Sequence, residues 1–159
     1  MILKRQNTKH EGNWGEIFCT IDNKAIKIFK KNKEYRHEQI KNIFESEIEA
    51  YKIISNNNEL KKYIPIFEGK CDVSKIIDID GKDISENFYI DCAYKMEFID
   101  GTLNKSYGCE SGKCPILIAF KNAGVHFVND CAAFVDDSGN ALKIIDFATQ
   151  DFDVFIRNF

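Results

Sequence analysis

Apolar and polar positions change period several times along these 159 residues. Residues 14–21 (WGEIFCTI) and 24–30 (KAIKIFK) read as two strands around a tight turn at Asp22-Asn23. From about Glu34 to Ile54 the period becomes helical: Ile40, Ile43, Phe44, Ile48 and Tyr51 recur every three or four residues, and Asn56-Asn57-Asn58 closes the run. A second hairpin is predicted around Asp80-Gly81, with strands near 71–79 and 86–98. A short apolar helix over 116–122 stops at Gly124, and two short strands, 134–136 and 141–147, flank Ser138-Gly139-Asn140. The order strands, helix, strands, helix, strands predicts an α+β fold in two small lobes.

Three charges interrupt this pattern. Lys27 shares a strand face with Ala25 and Phe29, while Ile26 and Ile28 make the opposite face equally apolar. Glu47 follows Phe44 by three residues and precedes Tyr51 by four, which puts a carboxylate inside the helix's apolar stripe. An unpaired charge buried there would be costly or would neutralise itself. A Lys27–Glu47 ion pair would resolve both conflicts; the alternative is that each side chain reaches water separately. Asp146 ends the apolar strand Leu142-Lys143-Ile144-Ile145. An acid there is either a turn former or a metal ligand, since Mg²⁺ takes one or two carboxylates plus phosphate oxygens.

Composition narrows the classes. The chain is 44% hydrophobic and 30% charged, as ordinary soluble domains are. A formal net charge of −3 gives no broad attraction to nucleic acid or acidic lipid. The N-terminus is polar from Lys4 onward and no apolar run reaches the length of a membrane span, so a cytoplasmic monomer is expected. The six cysteines are scattered, with no Cys-x-x-Cys pair and only three histidines far apart. Reduced thiols are expected rather than a zinc site.

At the three misplaced charges the chain resembles the protein kinases. His10-Glu11-Gly12-Asn13-Trp14-Gly15-Glu16-Ile17 is similar to their glycine-rich loop, with His10 in place of the first glycine. Ala25-Ile26-Lys27 resembles the strand whose lysine holds phosphates, and Glu47 falls where the pairing glutamate falls. Residues 94–101 (YKMEFIDG) resemble the hinge where adenine stacks. Residues 123–126 (AGVH) resemble the approach to the catalytic loop, and residues 142–148 (LKIIDFA) resemble the Asp-Phe-Gly strand with Ala148 replacing glycine. The resemblance implies a single domain: an N-lobe of antiparallel sheet plus one helix over about residues 1–100, and a truncated C-lobe over about 101–159. It implies ATP held by Gly12, Gly15, Lys27, Glu47 and Glu97, and Mg²⁺ on Asp146.

The chain also departs from that family. Counting from His126, Val128 stands where the catalytic base stands and Ala133 where the second metal ligand stands; valine accepts no proton and alanine coordinates nothing. Asp130 could act as base only if the loop bulged by two residues. Only thirteen residues follow Asp146, too few for a peptide-substrate platform. The expected function is therefore stoichiometric protein binding by a catalytically impaired, pseudokinase-like protein. A toxin-neutralising immunity protein or an effector fits that description, and the alternative is an active minimal Ser/Thr-type kinase. Asp130, Asp136, Asp137, Asp146, Asp151 and Asp153 either form a patch for a basic partner, a toxin or host protein, or are solvated turn residues. The aromatic tail (Phe147, Phe152, Phe155, Phe159) either folds back on the domain or offers a docking surface.

Overall fold

A computed structural model describes residues 1–6, 10–12 and 14–151, with His10 and Glu11 as backbone only. The fold is α+β, built mainly on antiparallel sheet with few helices. The chain divides into two compact units, Met1–Phe44 with Glu68–Phe98, and Glu45–Phe67 with Ile99–Phe159. No described helix is long and apolar enough to cross a membrane.

The first unit contains β1 (Ile2–Lys4), β2 (His10–Glu11), β3 (Gly15–Cys19), β4 (Lys24–Lys30), β5 (Phe67–Lys70, of which Phe67 belongs to the second unit), β6 (Lys75–Ile77) and β7 (Phe88–Glu97). Its main sheet has the order β2-β3-β4-β7-β5. The β3–β4 hairpin forms where predicted. Asn23 takes a left-handed φ of 60° at its turn, and the Thr20 hydroxyl accepts the Lys24 N–H at 3.0 Å. The predicted second hairpin forms only in miniature: around Asp80-Gly81, Asp78 N–H donates to Lys82 O and Ile84 N–H to Ile76 O, both at 2.9 Å, with a single antiparallel bridge between Ile77 and Asp83. β6 instead pairs in parallel with β1, Leu3 opposite Ile76, while β7 crosses to the main sheet beside β4. The reason is burial: Leu3, Val73, Ile76 and Ile84 lie in one apolar cluster with Phe18, Ile26, Ile28, Phe88 and Ala93. That small layer covers one face of the main sheet, so β4 is apolar on both sides.

The opposite face carries Phe29 and Tyr94, which pack on Phe44 of α1 (His37–Ser55) with ring centroids 5.7 and 6.4 Å away. The helix begins at His37 because Arg36 serves as its cap: the Gln39 side chain reaches back to accept the Arg36 N–H at 2.8 Å, half of a capping box. The buried positions Ile40, Ile43, Phe44, Ile48, Tyr51 and Ile54 hold the helical period expected of them.

The second unit contains β8 (Thr102–Asn104), α2 (Pro115–Asn122), β9 (Ala132–Val135) and β10 (Ala141–Ile145). The three strands form an antiparallel sheet with β9 in the centre. Between β8 and α2 lies a kinked 3₁₀ segment, Tyr107–Lys113. α2 ends in a Schellman arrangement: Val125 N–H donates to Phe120 O and Gly124 N–H to Lys121 O, both at 3.0 Å, with Gly124 at φ 109°. Tyr51, Phe67, Phe120 and Phe147 form an aromatic cluster, with centroid separations of 4.5 to 5.5 Å along the chain of contacts.

One turn is built twice. Asp78 and Asp136 each accept, on Oδ1, the N–H two residues on and the N–H four residues on, all at 2.9 Å. In both, the residue three on is a glycine at positive φ, Gly81 (86°) and Gly139 (82°). A type I turn followed by a left-handed residue makes this loop, and the aspartate replaces the amide partners that the turn leaves open.

Candidate functional site

Each unit holds its own share of the residues singled out by the sequence. In the first, the β2–β3 connection is closed by Gly12 N–H donating to Gly15 O at 2.9 Å; Asn13 lies outside the described residues. Gly15 is buried where β4 passes closely. A Cβ there would sit 2.8 Å from Ile28 O and 3.3 Å from Lys27 Cε, so a side chain would have to displace backbone. Lys27 is 7% exposed, its Nζ 5.1 Å from the Phe29 ring centroid and 6.0 Å from that of Tyr94. The negative ring faces favour the ammonium there. Glu97 is half-buried at the end of β7, opposite Lys24.

The second unit holds Glu47, Val128, Asp130, Ala133 and Asp146. Glu47 is 6% exposed, inside the α1 stripe as the spacing implied. Val128 and Ala133 are fully buried, whereas Asp130 is exposed. Three contacts pin the loop that carries Val128 and Asp130. Cys131 N–H donates to Val128 O at 3.2 Å, Gly108 N–H donates to Cys131 O at 3.0 Å, and the Ser111 hydroxyl donates to Asn129 Oδ1 at 2.9 Å. Gly108 lies directly against this loop. A Cβ on it would come within 2.6 Å of Asn129 O, and closer still to Val128 O. The segment Tyr107–Lys113 thus backs the loop with main chain against main chain.

Asp146 immediately follows β10, exposed, at φ 63°. Aspartate tolerates the left-handed region better than most residues, yet the conformation still costs about 1–2 kcal/mol. Such strain gathers at functional positions. Residues 148–150, just beyond it, are clamped. Phe127 and Ala148 exchange two backbone hydrogen bonds at 3.1 Å, and Ser46 Oγ accepts the N–H groups of Thr149 and Gln150 at 3.1 and 3.2 Å. Phe147 is buried in the aromatic cluster, so that ring is core. Phe152, Asp153, Phe155 and Phe159, also singled out by the sequence, lie outside the described residues.

Electrostatics gather at Cys131. Burial, reinforced by the negative charges of Asp146, Cys114 and Asp130, pushes its thiol up to about 12. Tyr107 is also raised, by burial and then by its hydrogen bond with Cys114 Sγ at 3.2 Å. All six cysteines are free thiols.

Sequence reasoning missed two arrangements in the first unit. Arg5 grips Glu16 through two hydrogen bonds, Nε to Oε1 at 2.8 Å and a terminal nitrogen to Oε2 at 2.9 Å, with Glu16 1% exposed. Glu16 shares its strand face with Phe18, so a charge on a core face was the available signal. The second is a cluster of His37, Asp91 and Cys92. Fifty-four residues separate the first two, and nothing in the sequence joins them. No protein-family model matches this chain, and a search of curated proteins returns no match.

Proposed function

We propose that this chain is a protein-kinase-like scaffold that has exchanged phosphotransfer for stoichiometric binding of another protein. The observation that carries the reading is the complete burial of Val128 and Ala133, at the positions the resemblance gives to the catalytic base and the second metal ligand. Neither is a polar residue displaced from a working site; both are core. The pinned loop supports the same reading, since a two-residue shift of Asp130 would break the hydrogen bonds of Cys131, Gly108 and Ser111. For Mg²⁺ and ATP the residues fit in part. Asp146 offers one exposed carboxylate, but no second ligand stands at Ala133, which is buried. The partner is a basic protein, a toxin neutralised by an immunity protein or a host target met by an effector. The exposed carboxylates Asp130, Asp137, Asp146 and Asp151 support that charge complementarity.

The left-handed φ of Asp146 favours a second reading, an active minimal kinase with Asp146 on Mg²⁺ and Asp130 as base. A radiolabelled phosphotransfer assay with ATP and Mg²⁺, run beside isolation of complexes from the native host, separates the two. The expected outcome is a one-to-one complex with a basic protein, weakened by charge-reversing changes at Asp130 and Asp137, and no transfer. Transfer abolished by Asp130→Ala would overturn the binding reading.

A further inference from the structure

The His37, Asp91 and Cys92 cluster arises from an irregularity in β7. Opposite Phe29 stands Tyr89, but opposite Ile28 stands Ala93, so Ile90, Asp91 and Cys92 bulge out of the ladder. In a regular strand Asp91 and Cys92 would face opposite sides. In the bulge Cys92 Sγ lies 3.8 Å from Asp91 Oδ1. Bulges re-aim side chains and commonly stand beside functional sites. The third member comes from the first residue of α1: His37 Nε2 is 3.0 Å from the same Asp91 Oδ1. One nitrogen, one carboxylate oxygen and one sulfur thus lie within 4.8 Å of one another.

We propose that these three side chains form a site for a zinc-class divalent transition metal, with water in the fourth position. Imidazole, carboxylate and thiolate are zinc's ordinary ligands, and tetrahedral bonds of about 2.0–2.3 Å place neighbouring ligand atoms roughly 3.3–3.8 Å apart. To reach that spacing, the His37–Asp91 pair opens slightly from 3.0 Å and the widest pair closes from at most 4.8 Å. The histidine is already oriented. Its ring stacks flat on Tyr89 at a centroid distance of 4.2 Å and an interplanar angle of 1°. Asp91 divides its oxygens usefully: Oδ1 faces His37, while Oδ2 lies 4.0 Å from Lys41 Nζ, an outer partner of the kind that orients metal-bound carboxylates. His37 and Asp91 are exposed, which gives the ion a route in, whereas Cys92 is buried and anchors the site from beneath. On binding, the Cys92 thiol releases its proton to solvent and the thiolate sulfur bonds the metal. Without metal, an exposed His–Asp pair contributes little stability, which gives no reason for a three-residue bulge. The bound ion would tie the first turn of α1 to β7.

The test is titration of the metal-free, reduced full chain with ZnCl₂ by calorimetry, together with Co²⁺ absorption. One zinc per chain is expected, with a thiolate-to-cobalt charge-transfer band. His37→Ala and Asp91→Asn lie at exposed positions, so both are expected to fold, which far-UV circular dichroism checks; each is expected to weaken zinc binding by more than about 100-fold, beyond the usual effect of losing an outer partner. Cys92→Ser is expected to abolish the cobalt band. Absence of stoichiometric zinc binding, or binding unchanged in His37→Ala, would overturn the site.

Discussion

Arg5 and Glu16 illustrate how unequal the two ends of one ion pair are. Glu16 is buried to 1% exposure, while the Arg5 side chain keeps 24% of its surface in water. Removing the arginine leaves a carboxylate without compensation in the core; removing the glutamate leaves a guanidinium that turns to solvent. Arg5→Ala is therefore expected to destabilise the fold by about 3 kcal/mol, and Glu16→Ala by less, since broken buried pairs cost roughly 3–5 kcal/mol. Urea denaturation of the two variants checks the order, and equal losses would contradict it. Cys131 makes a prediction in pH. Its folded thiol sits near 12, above the ordinary 9.0, so the proton held in the native state is surrendered earlier by the unfolded chain. The contribution is fully present below about pH 9 and is lost as pH rises toward 12. A Cys131→Ala variant should show a shallower loss of stability across that window. At pH 7.5 iodoacetamide should modify the exposed Cys109 while sparing Cys131 in the native state.

At the scale of elements, the segment Tyr107–Lys113 and the loop it backs behave as one piece. Gly108→Ala forces a methyl group into the carbonyls of Val128 and Asn129, which are main chain and cannot swing aside. Overpacking of this kind costs about 3 kcal/mol, or a fall of roughly 6–12 °C in Tm for a chain of this size. Gly112→Ala in the same segment meets nothing within 4 Å and serves as the control; its effect should stay within about 0.5 kcal/mol. Calorimetry of both reads the difference, and similar Tm values would show that the loop yields. Most elements of this scale are legible in the sequence. The β3–β4 hairpin, the helical period of α1 and the glycine stop of α2 all follow from local periodicity and turn chemistry. The β6–β7 arrangement is only half legible there: the Asp80-Gly81 turn returns the chain antiparallel as far as Asp83 and Ile84, but β7 itself pairs with β4. Ile76 finds more apolar surface beside Leu3.

For the whole molecule, the central expectation is kinetic. Phosphotransfer depends on positioned charges rather than on covalent chemistry from the protein, and working kinases turn over at about 1–100 s⁻¹. On the kinase-like reading proposed above, with Val128 and Ala133 buried at the positions it gives to the base and the second metal ligand, this chain is expected to fall orders of magnitude short of that range. Measured turnover inside the range would favour the second reading, the active minimal kinase with Asp130 as base. The exposed carboxylates then take on a different meaning, as catalytic groups rather than a recognition surface.

Local sequence is enough to specify the α+β class, the two Asp-x-x-Gly turns and the anomalous charges Lys27 and Glu47. Each of these depends on residues within a few positions of one another, where period and turn chemistry act. The remaining features exist only once distant segments meet. Val128 is core rather than loop surface where residues 107–113 press main chain against its loop, and Ala133 is core because β9 is the central strand of its sheet; no local pattern records either approach. His37 meets Asp91 and Cys92 because β7 bulges by three residues against β4. That register is fixed only when both strands are paired, so ligands fifty-four residues apart become neighbours in space without any trace in the sequence between them.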